Sequence, residues 1–267
     1  MSAYGLSVPQ IAPAVVFDSL TDQFTGIVPS IQNASAFLYD PVNGLLYTAD
    51  YENNTLGVIN PASDSWAHQA IGVGANPVAL ALNTTSNEIY VANSGSGDVT
   101  IVNGTSNSVK KSNIIIGTSP DGLAFDAHNQ VLFVADGKQP YISPLNVSTD
   151  TSQTAISLPG IPGGIAYSSS SGMLVVTIPT DNSVELVHAK SGNLDRFQTV
   201  GTGAGPVQTS VNSTEFVIGN ASGPNLVVLN SSTGSIVGSD IIVGSDVTAL
   251  ATETTGPKLL AWSSQTR

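Results

Sequence analysis

The chain has 267 residues, of which 41% are hydrophobic and only 10% are charged. Its 7 Lys and Arg residues stand against 19 Asp and Glu residues, so the formal net charge is −12, which disfavours nucleic acid and anionic membranes as partners. The sequence contains no cysteine, which excludes thiol catalysis, zinc–thiolate sites and disulfides.

From about residue 31 onward, the chain repeats one phrase with a nearly constant period. An aromatic or aliphatic anchor recurs at spacings of 43, 43, 42, 42 and 43 residues, at Tyr47, Tyr90, Phe133, Val175, Val217 and Leu260. A second, mostly small anchor lies upstream at Leu38, Ala81, Ala124, Ala166, Ser210 and Ala251. Proline precedes the same predicted strand at Pro77, Pro120, Pro162 and Pro206. Three anchors with one period indicate a repeat architecture.

Each repeat contains four short runs rich in Val, Ile and Tyr, separated by Asn, Gly, Ser and Asp. In the second repeat these runs are "PVALAL" (77–82), "EIYVAN" (88–93), "DVTIVN" (98–103) and "SVKKSNIIIG" (108–117). A period of about 40–45 residues with four strands is typical of a propeller blade. The sequence therefore predicts an all-β fold, a β-propeller of four-stranded antiparallel blades.

We interpret residues 1–267 as one propeller domain. Five contiguous blades are predicted at about 31–74, 75–117, 118–160, 161–202 and 203–245. Residues 246–267 supply only two strands and residues 8–30 another two, so pairing of the chain ends would complete a sixth blade and remove open sheet edges. Six blades are favoured, and seven are possible if the chain is truncated.

The repeated phrase resembles that of a known family. The strings "LYTAD", "IYVAN" and "LFVAD", preceded by "NPVALAL" or "SPDGLAFD" and followed by "GVIN" or "TIVN", resemble the YVTN family of β-propeller repeats. The resemblance covers nearly the whole chain and is most specific in the first three repeats. It implies a propeller of the kind found in extracellular and surface-layer proteins of archaea and bacteria, whose described members commonly have seven blades.

Candidate site residues follow from where propellers usually bind ligands, at the mouth of the channel. Polar residues end the second strand of several blades, and the segments that lead into the blades carry Asn76, Asp121 and Asp246. The channel-mouth candidates are Asp50, Asn93, Asp121, Asp136 and Asn220. They could form a ring of oxygen ligands for a hard cation such as Ca²⁺, which needs about six to eight oxygens. The favoured alternative is that these residues cap turns. In that case we expect no cofactor, and we assign no catalytic residue.

Other polar and aromatic motifs point away from catalysis. His68, His128 and His188 fall in an outer strand, a first-to-second-strand turn and the end of a third strand of different blades, so a histidine cluster is not expected. "GVGAN" (72–76) and "GTGAG" (201–205) lack the helix and lysine of a phosphate loop and predict turns between blades. Trp66 and Trp262 could stack on sugars, although packing between blades is favoured.

The location is predicted from glycosylation sequons. N-x-S/T occurs at Asn33, Asn53, Asn83, Asn103, Asn146, Asn212, Asn220 and Asn230, all in predicted loops. Exposure outside the cell or on its surface is therefore favoured, although no signal peptide is visible at "MSAYGLSVPQ". No segment reaches the ~20 apolar residues of a membrane span, so direct membrane insertion is not expected.

Two functions remain open. The favoured one is a non-enzymatic extracellular or cell-surface module with a structural, adhesion or ligand-binding role, and a protein or glycan of the cell envelope as its partner. This module could itself be one domain of a larger envelope protein. The alternative is a metal-dependent propeller enzyme, lactonase- or lyase-like, with its site at the channel mouth.

Overall fold

The computed structural model describes residues 14–18, 23–28, 34–63, 65–210, 212–243, 246–252 and 259–263. These residues form β-strands and one short 3₁₀ turn at Pro179–Asp181, and no α-helix occurs among them. None of their helical turns is long and apolar enough to cross a membrane. The predicted all-β class is confirmed.

The chain forms two compact units, residues 1–115 and residues 116–267. In the first unit, a hairpin of β1 (Ala14–Asp18) and β2 (Gln23–Val28) precedes two four-stranded antiparallel sheets. The first sheet contains β3 (Ala34–Asp40), β4 (Leu45–Asp50), β5 (Thr55–Asn60) and β6 (Ser65–Gly72). The second contains β7 (Pro77–Asn83), β8 (Glu88–Asn93), β9 (Asp98–Asn103) and β10 (Ser108–Ile115). We call these sheets the first and second blades.

The second unit contains three more blades and a terminal hairpin. The third blade is β11 (Pro120–Asp126), β12 (Val131–Asp136) and β13 (Tyr141–Asn146), with its outer position shared by β14 (Thr151–Ser152) and β15 (Ile156–Ser157). The fourth is β16 (Gly164–Ser168), β17 (Met173–Ile178), β18 (Ser183–His188) and β19 (Leu194–Thr199). The fifth is β20 (Ala204–Thr209), β21 (Glu215–Asn220), β22 (Asn225–Asn230) and β23 (Ile241–Ile242), followed by the hairpin of β24 (Val247–Thr252) and β25 (Leu259–Ser263).

Within each blade the strands pair in chain order, which is what short turns between alternating apolar runs produce. Burial is greatest on the middle strands of the second blade: every residue of β8 is buried, whereas β7 is only partly buried and β10 is exposed except at one position. The predicted small residues Ala81, Ala124 and Ala166 are buried on the first strands, opposite Tyr90, Phe133 and Val175. Alanine at these positions leaves room for the larger residue beside it.

The predicted anchor of the fifth repeat is wrong by two residues. Val217 pairs with Gln208 and not with Ser210, which follows the end of β20. Gln208 lies 42 residues after Ala166 and 43 residues before Ala251, so the repeat continues with a larger residue in place of the small one, and the period is unbroken. Pro206 lies inside β20 instead of before it, because Ala204 holds the place that Pro77 and Pro120 hold in β7 and β11.

Adjacent blades pack face to face through apolar clusters. In the first unit, Tyr47, Leu56 and Val58 of the first blade meet Ile89 and Val91 of the second. In the second unit, one cluster joins the third and fourth blades and another joins the fourth and fifth. Each blade therefore buries both of its faces only when it has a neighbour on each side.

One face of the first blade carries exposed aromatic side chains. Leu38 of β3 packs in the cluster with the second blade, and its neighbours Phe37 and Tyr39 point to the opposite face, where they are 52% and 45% exposed. Leu80 and Leu82, at the same positions of β7, are packed against the first blade. A preceding blade would cover Phe37 and Tyr39. Joining hairpins β1–β2 and β24–β25 into that blade stays a prediction, because each is described as a two-stranded sheet.

Candidate functional site

Asp136, at the end of β12, is buried and bound by several protein donors. Its carboxylate accepts the backbone N–H groups of Thr118 at 2.6 Å, Ser119 at 3.2 Å and Lys138 at 2.9 Å, and the Thr118 hydroxyl at 3.0 Å. Burial alone would raise the pKa of Asp136, but these hydrogen bonds outweigh it and lower the pKa. The carboxylate therefore holds the segment that leads into β11.

Asp121 lies close to Asp136, where the start of β11 meets the turn after β12. We call the equivalent place in each blade, at the end of its second strand, a blade corner. The Asp121 carboxylate is so close to Gly137 that a Cβ there would lie 2.5 Å from a carboxylate oxygen. Partial burial and the negative charge of Asp136 raise the pKa of Asp121, and Lys138 offsets this only in part. Asp121 and Asp136 are two predicted candidates that the structure brings together, with pKa values shifted in opposite directions.

Asn93 ends β8 and is fully buried. Its amide Nδ2 donates to Asp98 Oδ1 at 2.6 Å and to Thr100 Oγ1 at 3.0 Å. Its Oδ1 has no hydrogen-bond partner among the described residues, and the same holds for Asn220 Oδ1 and Ser183 Oγ. All three atoms lie where the second strand of a blade turns into the third. A buried acceptor without a donor costs about 1–3 kcal/mol, so a bound water is expected at these corners.

Asp50, at the end of β4, caps its own turn. Its carboxylate accepts the Asn53 backbone N–H at 3.1 Å and the Asn53 side-chain amide at 2.8 Å. The same turn is tied to the segment before β7, because Asn76 donates its backbone N–H to Asn54 Oδ1 at 2.8 Å. The capping interpretation therefore describes Asp50 well, whereas Asn93 binds side chains instead.

The structure also reveals a contact that sequence reasoning missed. A glycine in the linker before a blade packs directly on the polar residue that ends that blade's second strand. A Cβ on Gly74, Gly117 or Gly201 would lie 2.5 to 2.7 Å from a side-chain atom of Asn93, Asp136 or Asn220, respectively. The sequence signal was present in "GVGAN" and "GTGAG", which the repeat explained only as turns.

The predicted ring of oxygen ligands is distributed over separate blade corners. Among the residues that the structure describes, no three His, Asp or Glu side chains are grouped so that they could hold a metal ion. Asp50 and Asn93 belong to different blades of the first unit, and Asn220 lies in a different blade from Asp121 and Asp136. Chemically, these corners offer one carboxyl pair, the saturated network of Asp136, and the buried Asn93 and Asn220 amides, whose oxygens have no partner among the described residues.

The histidines and tryptophans lie where their repeat positions predict. His68 is in β6, His128 in the turn between β11 and β12, and His188 at the end of β18, where its Nε2 is 3.7 Å from Asp195 Oδ1. Trp66 is in β6, the outermost strand of the first blade, and is 42% exposed. The side chain of Trp262 falls outside the described residues.

The sequon asparagines differ in accessibility. Asn53 and Asn212 are exposed, Asn103, Asn146 and Asn230 are half-buried, and Asn83 and Asn220 are only 1% and 2% exposed. Asn33 lies outside the described residues. In the second and fifth blades, three of these asparagines end a first or third strand: Asn83 ends β7, Asn103 ends β9 and Asn230 ends β22. The three asparagines therefore lie at the same edge of their sheets.

Comparison with known proteins supports the fold. Many solved structures are similar to this chain. One is hydrazine synthase of Kuenenia stuttgartiensis, which matches with a TM-score of 0.75 over 89% of this chain and 75% of that chain. The sequence identity is 14%, so the likeness concerns the fold alone. No protein-family model matches the chain, and no curated protein matches it. Together with the repeated four-stranded sheets, the likeness shows a propeller-type fold.

Proposed function

We propose that this chain is a non-enzymatic propeller-type module with YVTN-like repeats, displayed outside the cell or on its surface. It acts there as a structural, adhesion or ligand-binding module, and a protein or glycan of the cell envelope is its partner. The observation that carries the proposal is that polar groups at the blade corners bind other parts of the protein. Asp136 alone accepts hydrogen bonds from three backbone N–H groups and one hydroxyl. Its carboxylate oxygens are therefore occupied by hydrogen bonds within the protein.

Composition and accessibility add support for surface display. The chain is acidic with few cations, which keeps it soluble and disfavours association with nucleic acid. Asn53 and Asn212 are sequon asparagines in exposed turns, where a glycan meets no packing obstacle. The buried sequons at Asn83 and Asn220 offer an internal comparison, because a glycan there would displace packed neighbours.

Surface display is tested by labelling intact source cells with a membrane-impermeant amine reagent and mapping the modified peptides. We expect Lys110, whose side chain is 56% exposed, to be modified on intact cells. Glycopeptide mapping of the same material should find any glycan at Asn53 or Asn212 and none at Asn83 or Asn220. Labelling that appears only after lysis would contradict surface display.

A second candidate function rests on the Asp121–Asp136 pair. Two neighbouring carboxyls whose pKa values move apart are the arrangement that divides acid and base roles in many enzymes. The metal-dependent enzyme therefore remains the alternative proposal, with Ca²⁺ as the possible ion. A melting temperature that rises with Ca²⁺ or Mn²⁺ in the wild type but not in Asp121→Asn would favour this alternative. An unchanged melting temperature in both would favour the non-enzymatic module.

A further inference from the structure

An open groove of about 530 Å³ runs along β6, the outermost strand of the first blade. Five consecutive residues line it, from Trp66 to Ala70. The channel-mouth candidates lie at blade corners on other strands, so this groove is separate from the site described above.

The indole of Trp66 is held in place by the neighbouring strand. Gly57 of β5 has no side chain, and a Cβ there would lie 2.7 Å from Cζ3 of the indole and 2.6 Å from Thr48 Oγ1. The ring therefore occupies the space that a side chain at position 57 would fill. Trp66 is nevertheless 42% exposed, so a large part of a fixed aromatic surface faces solvent. Such a surface loses little conformational entropy when a ligand packs on it.

Polar side chains flank the aromatic surface. His68 and Gln69 follow Trp66 along the groove, and His68 Nδ1 lies 2.8 Å from the Gln69 carbonyl oxygen. The lining residues include no carboxylate and no lysine or arginine. A pyranose ring also combines an apolar face with polar groups. Its C–H groups pack on an aromatic ring, and its hydroxyls exchange hydrogen bonds with amide and imidazole groups.

Two other ligand classes fit the groove less well. A peptide could add to the exposed edge of β6, but the pairing of β6 with β5 shifts register twice, between Trp66 and His68 and between His68 and Ile71. Such bulges interrupt the regular row of backbone groups that an added strand requires. Anionic sugars would be repelled by the net charge of −12.

We infer that the β6 groove binds neutral carbohydrate, with a pyranose ring packed on Trp66 and its hydroxyls contacting polar groups that line the groove beside it. This assignment names a ligand class and a place for the ligand-binding role proposed above, and it rests on that role.

Tryptophan fluorescence tests the inference directly, because the chain has only two tryptophans. In a Trp262→Phe variant, the signal comes from Trp66 alone. Titration with neutral tetrasaccharides (cellotetraose, xylotetraose and mannotetraose) should produce a saturable change with at least one of them. Trp66→Ala should abolish binding measured by calorimetry, and Trp66→Phe should weaken it severalfold. The matched control is Val109→Ala, which changes the same position of the second blade, is 40% exposed and should leave binding intact.

The inference is overturned if none of the three sugars changes Trp66 fluorescence at about 20 mM, which would saturate a millimolar site. It is also overturned if Trp66→Ala binds sugar as tightly as the wild type, or if an extended peptide binds β6 and sugars do not. If Trp66→Ala fails to fold, Gln69→Ala replaces it, with severalfold weaker binding expected at an unchanged melting temperature. Surface labelling of lysine is independent of these titrations, so failure of the sugar site and failure of the proposed function are distinguishable.

Discussion

At the scale of single residues, Asn and Asp side chains hold the turns of this protein. Asn103 Oδ1 accepts the backbone N–H groups of Thr105 and Ser106, each at 2.9 Å. Asn146 and Asn230 make the same pair of bonds at the corresponding turns of the third and fifth blades. An Asn at the end of a strand places its side-chain oxygen beside the turn that follows. There the oxygen accepts hydrogen bonds from backbone N–H groups that the sheet leaves unpaired. This explains why the repeated phrase so often ends in "VN" or "LN".

Gly117, which packs on the Asp136 carboxylate, is predicted not to tolerate a side chain. Gly117 has a φ of +83°, and a Cβ there would lie 2.7 Å from the Asp136 carboxylate. We expect Gly117→Ala to lower the free energy of unfolding by about 2–3 kcal/mol, through backbone strain and steric overlap. Gly172→Ala is the control, because Gly172 has a φ of +70° but no atom within 4 Å of an added Cβ. Chemical denaturation measures both, and equal losses would contradict the steric part of the argument.

A buried glutamate should make stability depend on pH. Glu185 of β18 is buried, and burial raises its pKa above the ordinary value of 4.5. Its contribution to stability is fully present below pH 4.5 and is lost as the pH rises through the raised pKa, because the folded state then holds a buried charge. Glu185→Gln should therefore raise the melting temperature at pH 7 and have little effect at pH 3.

The control for this prediction is Glu52→Gln, since Glu52 lies in an exposed turn. Substitutions at such positions usually change stability by no more than about 0.5 kcal/mol. A pH-independent effect of Glu185→Gln would contradict the electrostatic explanation and point to packing.

At the scale of elements, the repeated aromatic residue joins neighbouring blades. The Tyr47 hydroxyl donates to Asn107 Oδ1 at 2.6 Å and lies 3.2 Å from the Gly104 carbonyl oxygen, in the turn between β9 and β10. Asn43 Nδ2 donates to the same hydroxyl at 2.9 Å. Tyr90 is equally buried in the second blade, and Phe133 fills the position in the third. Packing of the ring is thus common to these blades, and in the first blade the hydroxyl adds hydrogen bonds to a turn of the second blade.

Removing that hydroxyl should weaken the contact between the first and second blades. Tyr47→Phe leaves the half-buried Asn107 acceptor and the Asn43 donor without this partner, so we expect a loss of about 0.5–1.5 kcal/mol in unfolding free energy. Tyr51→Phe is the control, because Tyr51 is 42% exposed in the turn after β4. Urea denaturation at neutral pH compares the two variants. Equal stability of Tyr47→Phe and Tyr51→Phe would show that the hydroxyl bond contributes little.

At the scale of the whole molecule, the terminal strands differ from the blades. Hairpins β1–β2 and β24–β25 each have two strands, whereas each of the five blades has an inner strand, two middle positions and an outer position. Phe37 and Tyr39 of the first blade are exposed where the second blade has packed leucines. A sheet face that carries two large exposed aromatics is stabilised by a neighbour that covers it.

Deletion of residues 1–30 tests the predicted blade closure. Because the deletion removes two strands of the composite blade, we expect the melting temperature to fall by about 5–10 °C, as for a loss of a few kcal/mol in a domain of this size. Deletion of residues 1–7, which precede the predicted strands, is the control and should melt like the full chain. An unchanged melting temperature after the longer deletion would contradict the closure.

Much of the fold could be predicted because it depends on local sequence. The predicted runs 88–93 and 98–103 coincide with β8 and β9, since alternation and turn residues are properties of neighbouring positions. The error at Ser210 arose because Gln208, which keeps the period, replaces the small residue of most other repeats, and a small residue stands two positions later. The candidate site was less predictable. Repeat position alone did not distinguish Asp50, which caps its own turn, from Asp136, which binds residues 17 and 18 positions earlier.

The sequence by itself determined the strand order, the blade-like repeat and the absence of a histidine cluster, because each follows from spacing along the chain. The tertiary structure alone decided which polar atoms are saturated, which carboxyls share a corner and which aromatics stay exposed. Those properties depend on contacts between residues far apart in sequence, such as Gly117 against Asp136 or Trp66 against Gly57. A period places a residue on a strand, but only the packing of neighbouring strands and blades determines what its side chain meets.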